Sequence, residues 1–278
     1  MRVALDAGHG SNTPGKRTPD GYREHWINVE CADYCEDALL RCGIEVFKCA
    51  WDDADATDDS DISLTKRQSL IKAAKCDISV SIHANACGDG KTYNSGQGIE
   101  TFHDSRANNV LDSVKLANVV QGYLIQGTPQ KNRGVKSANF AMCNARAMGV
   151  KAAILIEMGF MTNKYESELM KSDKFLIETA EEIAHGICDY LGVQYIPQNA
   201  APVAPAPAPE EPKETNEFLY LVKITASVLN VRKGPGTKYG VTTTVRKNQI
   251  YTIIDEENGW GHLKSNAGWI SLAYTNKI

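Results

Sequence analysis

Three observations on the 278-residue chain predict an α/β domain, a mainly parallel sheet flanked by helices, followed by a small all-β unit. Short apolar runs alternate with segments of helical period over residues 1–195, the order expected of strands joined by crossover helices. Residues 196–216 hold six of the ten prolines, largely in Ala-Pro alternation, which favours an extended spacer over a packed core. Beyond residue 217, strand-like runs are separated by turn residues and no helical period returns. The chain is therefore read as a larger domain (1–195), a Pro/Ala-rich linker (196–216) and a small β domain (217–278).

The elements follow in order. Arg2-Val3-Ala4-Leu5 opens as a strand. From Ile27 to Cys42, apolar residues recur at Cys31, Tyr34, Cys35, Ala38 and Leu39. That is helical spacing, and Gly43 stands where a glycine stops a helix. Ile44-Glu45-Val46-Phe47 alternates as a strand does. Ser63 is placed to cap a helix carrying Leu64, Arg67, Ile71 and Ala74. Asp77 to Ile82 reads as a buried strand and Gly98 to Phe102 as another, with a helix over about 110–125 after them. The wholly apolar Ala152-Ala153-Ile154-Leu155-Ile156 predicts a central strand. An amphipathic helix from Phe175 to Leu191 closes the domain. In the β domain the runs are Tyr220–Ile224, Val228–Val231, Val241–Val245, Ile250–Ile254, Trp260–Leu263 and Gly268–Ile270, with turn signals at Gly234-Pro235-Gly236 and Glu257-Asn258-Gly259.

Composition removes several function classes. A hydrophobic fraction of 42% and a charged fraction of 23% suit a folded chain rather than a disordered one. The net charge of −4 argues against a nucleic-acid binder. That charge is uneven, −6 over residues 1–209 and +4 over 217–278. No apolar run reaches the length of a membrane span, so no membrane insertion is expected. Met1 to Gly8 enters a strand pattern without a secretory signal, so synthesis in a cytoplasm is expected. The eight cysteines form no C-x-x-C pair and sit among apolar neighbours. They are read as reduced, buried small hydrophobes rather than a disulfide framework.

Four polar residues stand at element ends. His9 follows the first strand in Asp6-Ala7-Gly8-His9-Gly10, where the flanking glycines let the backbone turn sharply. His83 follows the Asp77–Ile82 strand, Glu157 ends the apolar run, and Glu24 lies just ahead of the first long helix. Parallel sheets gather strand-end side chains into one crevice. A charged Glu157 after five apolar residues is costly without a partner. Two imidazoles and a carboxylate make a zinc site that keeps a position open for water. A single histidine after a strand is more often structural than a ligand, so only the combination carries this reading.

Other residues have weaker claims. His25 is a reserve ligand beside Glu24. His103 lines the cleft or lies on the surface, and His185 and His262 are structural. Arg67 and Glu100 either pair with each other or orient the ligands. The six aspartates within 52–61 lack the EF-hand spacing, so a solvated loop is favoured over a calcium site. Cys87, four residues past His83, invites a Cys–His hydrolase reading, but nothing local activates it as a nucleophile.

Several segments occur together in one order: Leu5-Asp6-Ala7-Gly8-His9-Gly10, Glu24 with Asn28, Leu64 with Arg67, Ser81-Ile82-His83-Ala84-Asn85, Gly98-Ile99-Glu100-Thr101 and Glu157-Met158-Gly159-Phe160-Met161-Thr162-Asn163. Over nearly the whole first domain this resembles the zinc-dependent N-acetylmuramoyl-L-alanine amidases of the amidase-3 type. The resemblance implies that His9, Glu24 and His83 bind Zn2+ and that Glu157 is the catalytic carboxylate. It implies bacterial peptidoglycan as substrate, cut between the lactyl group of N-acetylmuramic acid and L-alanine. Two departures concern loop shape: Met148-Gly149-Val150-Lys151 lacks a proline common there, and Ser11 replaces a common glycine.

The last domain resembles bacterial SH3-like cell-wall-binding modules through Leu229-Asn230-Val231-Arg232-Lys233-Gly234-Pro235-Gly236-Thr237, Tyr239, Asn258-Gly259-Trp260 and Gly268-Trp269-Ile270. Exposed aromatics and Arg232 offer a groove for a peptide or glycan, although at least one of Trp260 and Trp269 is expected in the core. The domain order and the reduced cysteines resemble a phage endolysin, made in the host cytoplasm and acting at the cell wall after release. The alternatives are a host autolysin, a zinc peptidase or deacylase on another cell-wall amide, and a non-catalytic wall-binding protein.

Overall fold

A computed structural model describes residues 1–51, 59–106, 110–198, 220–265 and 267–278. The chain divides into two compact units, Met1–Pro202 and Val203–Ile278. The linker segment falls almost wholly on 199–219, outside the described residues, as do Asp52, Asp53, Asp55 and Asp58.

The first unit runs β1 (Arg2–Ala7), α1 (Glu24–Arg41), β2 (Glu45–Cys49), α2 (Leu64–Ala74), β3 (Ile78–Asn85), β4 (Ile99–Asp104), α3 (Leu111–Gly127), β5 (Asn132–Ala138), α4 (Ala145–Met148), β6 (Ala152–Phe160), α5 (Lys164–Leu169) and α6 (Asp173–Leu191). Its six strands lie in the order β2-β1-β3-β6-β4-β5. Only the β4–β6 pair is antiparallel; the other four are parallel. The α/β, mainly parallel expectation therefore holds.

Strand alternation decides what each face carries. Val3, Leu5 and Ala7 of β1, Ile78, Val80 and Ile82 of β3, and Ala152, Ile154 and Ile156 of β6 pack with apolar residues of α1, α3 and α6. Each such fully buried aliphatic side chain contributes about 1.5–3 kcal/mol. The opposite face is thinner. Ala4, Cys49 and Ala153 pack there with Ile71 of α2, Met142 of a short 3-10 turn, and Met148 of α4. Alternation also places Asp6, Ser81, His83 and Glu157 on this second face.

Several boundaries differ from the sequence reading in ways that matter. His83 lies within β3 rather than after it, and Glu157 lies inside β6 rather than at its end. Glu24 is the first residue of α1 rather than ahead of it. The Ser63 cap forms as expected, with Ser63 Oγ accepting from the Lys66 amide at 3.2 Å.

The second unit is a seven-stranded antiparallel sheet: β7 (Tyr220–Ile224), β8 (Val228–Arg232), β9 (Val241–Arg246), β10 (Ile250–Glu257), β11 (Trp260–Leu263), β12 (Trp269–Ser271) and β13 (Thr275–Lys277), in the order β13-β7-β10-β11-β12-β8-β9. Asn258 and Gly259, both with positive φ (52° and 77°), close the β10–β11 hairpin with the backbone that a two-residue hairpin turn demands. The core is Val222, Ile224, Leu229, Val231, Val245, Ile253, Leu263 and Ile270. Trp260 and Trp269 are both half-buried, so neither enters the core. Eight aliphatic residues fill it, and His262 stacks on Trp269 at 4.8 Å instead.

Candidate functional site

The site forms where β1, β3, β6 and the start of α1 meet. His9, Glu24 and His83 each offer one ligand atom, and these atoms lie within 4.8 Å of one another. Glu24 bridges the two imidazoles: Oε1 is 3.0 Å from His83 Nδ1 and Oε2 is 3.3 Å from His9 Nε2. The rings meet edge to face at 4.8 Å. Burial alone would raise the Glu24 carboxyl, but hydrogen bonds from His83 and His9 hold it well below the usual carboxylate range. Burial would likewise lower the His83 imidazole, and the Glu24 carboxylate raises it.

Neighbouring residues hold this geometry in place. His9 has φ of +64°, a left-handed conformation rare for a residue with a side chain. Arg67, buried at the start of α2, grips the carbonyls on both sides of the bend: Nη1 donates to Ala7 O at 2.9 Å and Nη2 to His9 O at 2.5 Å. The same guanidinium donates to Asp6 Oδ1 at 2.8 Å and Asp61 Oδ1 at 3.0 Å. From α1, His25 Nδ1 at 3.0 Å and Asn28 Nδ2 at 3.1 Å both donate to Gly8 O. Every carbonyl of the Ala7-Gly8-His9 bend is thus held by a buried side chain.

The flanking glycines serve space rather than rotation. A Cβ on Gly8 would lie 2.2 Å from the His83 ring, and one on Gly10 would lie 2.2 Å from the Asp61 amide. The left-handed residue is His9 itself.

Glu157 sits beside the cluster, in register with His83 on β3 and with Glu100 on β4. Its Oε2 is buried and has no hydrogen-bond partner among the described residues. Burial pushes this carboxyl well above the usual range, and the nearby Glu24 and Glu100 charges push the same way. A buried polar atom left without a partner is costly, and Glu157 Oε2 is one such atom beside the cluster. A cavity of about 390 Å³ opens next to the cluster, bordered by His9, His83, Asp61, Ser63, Leu64 and Met142.

The other residues singled out in the sequence fall elsewhere. His25 is not a reserve ligand: both its ring nitrogens are engaged, with Gly8 O and with Asp59 Oδ2 at 3.2 Å. Arg67 and Glu100 do not pair with each other. Arg67 takes Asp6 and Asp61, and Glu100 takes Arg133 and Lys136. His103 is half-buried and bonds the Asp104 carbonyl. His185 is sandwiched between Tyr123 and Tyr195, at 4.1 and 4.0 Å. All eight cysteines are free thiols; seven are buried, and burial raises the thiol of Cys49, for one. Cys87 is exposed.

The sequence reading gave no role to Ser81, whose Oγ donates to Asp6 Oδ2 at 2.5 Å, or to Asn85, and did not name Arg133 and Lys136, which gather with Asn85 on Glu100. One signal was present: Ile78-Ser79-Val80-Ser81-Ile82-His83-Ala84-Asn85 alternates strictly, with every polar residue on one face.

The donor set suits a divalent cation that accepts nitrogen and oxygen ligands. Two imidazoles and one carboxylate leave a coordination position open, which distinguishes catalytic from structural sites. Fold and site together define an α/β protein with a three-residue cluster that could hold a metal ion and an adjacent buried carboxylate.

Comparison with known proteins carries this further. The chain belongs to the N-acetylmuramoyl-L-alanine amidase family, which it matches over residues 3–189; residues 227–276 match the bacterial SH3 domain family. It is 30% identical to an endolysin of Bacillus phage SPP1 over 72% of this chain and 69% of that protein. It is 27% identical to the N-acetylmuramoyl-L-alanine amidase LytC of Bacillus subtilis (strain 168), over 68% of this chain and 35% of that one. The solved N-acetylmuramoyl-L-alanine amidase from Clostridium difficile 630 is 31% identical with a TM-score of 0.60, covering 69% of this chain and 97% of that one. The catalytic domain of CwlV from Bacillus (Paenibacillus) polymyxa var. colistinus is 27% identical with a TM-score of 0.59, covering 70% and 99%. The protein is a peptidoglycan amidase.

Proposed function

We propose that His9, Glu24 and His83 hold a zinc ion and that Glu157 performs proton transfer in hydrolysis of the amide between the lactyl group of N-acetylmuramic acid and L-alanine. The observation that supports this most is the buried, unpartnered Oε2 of Glu157, one strand from His83 in a three-ligand cluster. Zinc supplies Lewis acidity toward the scissile carbonyl and toward water.

The chain's own residues do the rest. Glu157 accepts a proton from the attacking water and returns it to the departing L-alanine nitrogen, as general base and then general acid. Arg67, His25 and Asn28 fix the bend that presents His9. Gly8 leaves the room in which the His83 ring stands.

The same reading extends to the whole chain. The SH3-like unit anchors the enzyme to the wall, and tethering raises the effective concentration of the catalytic unit there. The protein acts as an endolysin, made in the cytoplasm of a host and reaching the wall after release. The free, buried thiols support folding in a reducing compartment.

Product identification on purified walls tests the reaction. The expected products are new N-terminal L-alanine amines without new reducing sugars. A chelator should abolish their release and zinc should restore it. Release of other amines would favour a zinc peptidase or deacylase, and no release would favour a wall-binding protein.

A further inference from the structure

Glu100 is almost fully buried on β4, one strand out from Glu157 and in register with it. Two cations gather on it. Arg133 Nε donates to Glu100 Oε2 at 2.6 Å, Lys136 Nζ donates to the same oxygen, and Asn85 Nδ2 donates to Oε1 at 2.7 Å. With Glu157 in register beside Glu100, two cations stand over two acidic side chains. Both cations come from β5, the edge strand, and their side chains remain 31% and 38% exposed. The Arg133 guanidinium also lies over the Phe160 ring at 4.8 Å.

We propose that Arg133 and Lys136, held by Glu100, form a subsite for the free carboxylate of the second stem-peptide residue. This rests on the amidase reading above. Glu157 must reach the departing nitrogen of L-alanine, so the peptide leaves on the Glu157 side of the cluster. The next strand in that direction is β4, with Glu100 and its cations. Adjacent strands lie about 4.8 Å apart. An extended peptide advances about 3.3–3.6 Å per residue, so a carboxylate on the second residue falls roughly 7 Å from the scissile bond, over the two cations. Both cations remain partly exposed, so an incoming anion can reach them.

The test compares two soluble substrates on the full chain, both capped as the γ-methylamide: N-acetylmuramoyl-L-alanyl-D-glutamate, with its α-carboxylate free, and its α-carboxamide (D-isoglutamine) counterpart. A charge-assisted hydrogen bond is worth about 1.5–3 kcal/mol, so the wild type should favour the carboxylate at least about tenfold in kcat/KM. Lys136→Met should lower kcat/KM on the carboxylate substrate about tenfold, mainly through KM, and leave the carboxamide unchanged. Arg133 still neutralises Glu100 in that variant, and Lys136→Arg should restore the preference. Calorimetric binding of the product dipeptide L-alanyl-D-glutamate γ-methylamide should weaken in parallel. A wild type that treats the two substrates alike overturns the subsite, as does a Lys136→Met variant that loses equally on both. Cleavage of neither substrate by the zinc-loaded wild type overturns the amidase reading itself, a distinguishable result.

Discussion

In the Met1–Pro202 unit, Asp6, Glu24, His25, Arg67, Glu100, Asp104 and Glu166 are all buried; the Val203–Ile278 unit, among its described residues, buries no charged side chain and rests on eight aliphatic ones. The contrast follows from what each unit has to hold still. Ligand atoms within 4.8 Å of one another need fixed donors and acceptors behind them, and those must be shielded from water to stay fixed. The second unit has no such cluster among its described residues, and its half-exposed groups, such as the stacked His262–Trp269 pair, rest on a sheet with an aliphatic core. Buried charge therefore surrounds the candidate site, and the SH3-like unit rests on a dry core.

The largest expected effect breaks the charged half of this contrast. Arg67→Met leaves Asp6 buried without its cation and frees two carbonyls of the His9 bend. The expected cost is about 3–5 kcal/mol in urea denaturation, with metal affinity lowered roughly 10–100-fold. An unchanged metal affinity would show that the bend holds without its clamp. A smaller effect probes the dry half. Ile253→Ala should destabilise the second unit by about 2–5 kcal/mol while kcat on a soluble substrate stays at the wild-type value. Loss of soluble-substrate turnover in that variant would contradict the separation of roles.

How far the sequence revealed this depended on whether the signal was local. The Ser63 cap, the apolar β6 run and the Asn258-Gly259 turn are local, and each was legible. β5 was not. Asn132-Arg133-Gly134-Val135-Lys136-Ser137-Ala138 has neither an apolar run nor clean alternation, because an edge strand with no buried residue needs neither. Its two cations were missed with it. His9, Glu24, His83 and Glu157 stood out as polar residues beside apolar elements, but their facing depended on strand register. The left-handed backbone of His9 has no sequence signature, because the residues that hold it come from α1 and α2.

Metal titration of three proteins, with turnover measured on the same samples, tests the central claim most directly. The wild type should bind one zinc per chain, and His83→Ala should lose that affinity. Glu157→Gln should keep the full zinc content while turnover falls by at least about 10²-fold. A wild type that takes up no zinc, or a Glu157→Gln variant that loses zinc together with activity, would contradict the division between three residues that hold the ion and one that moves the proton.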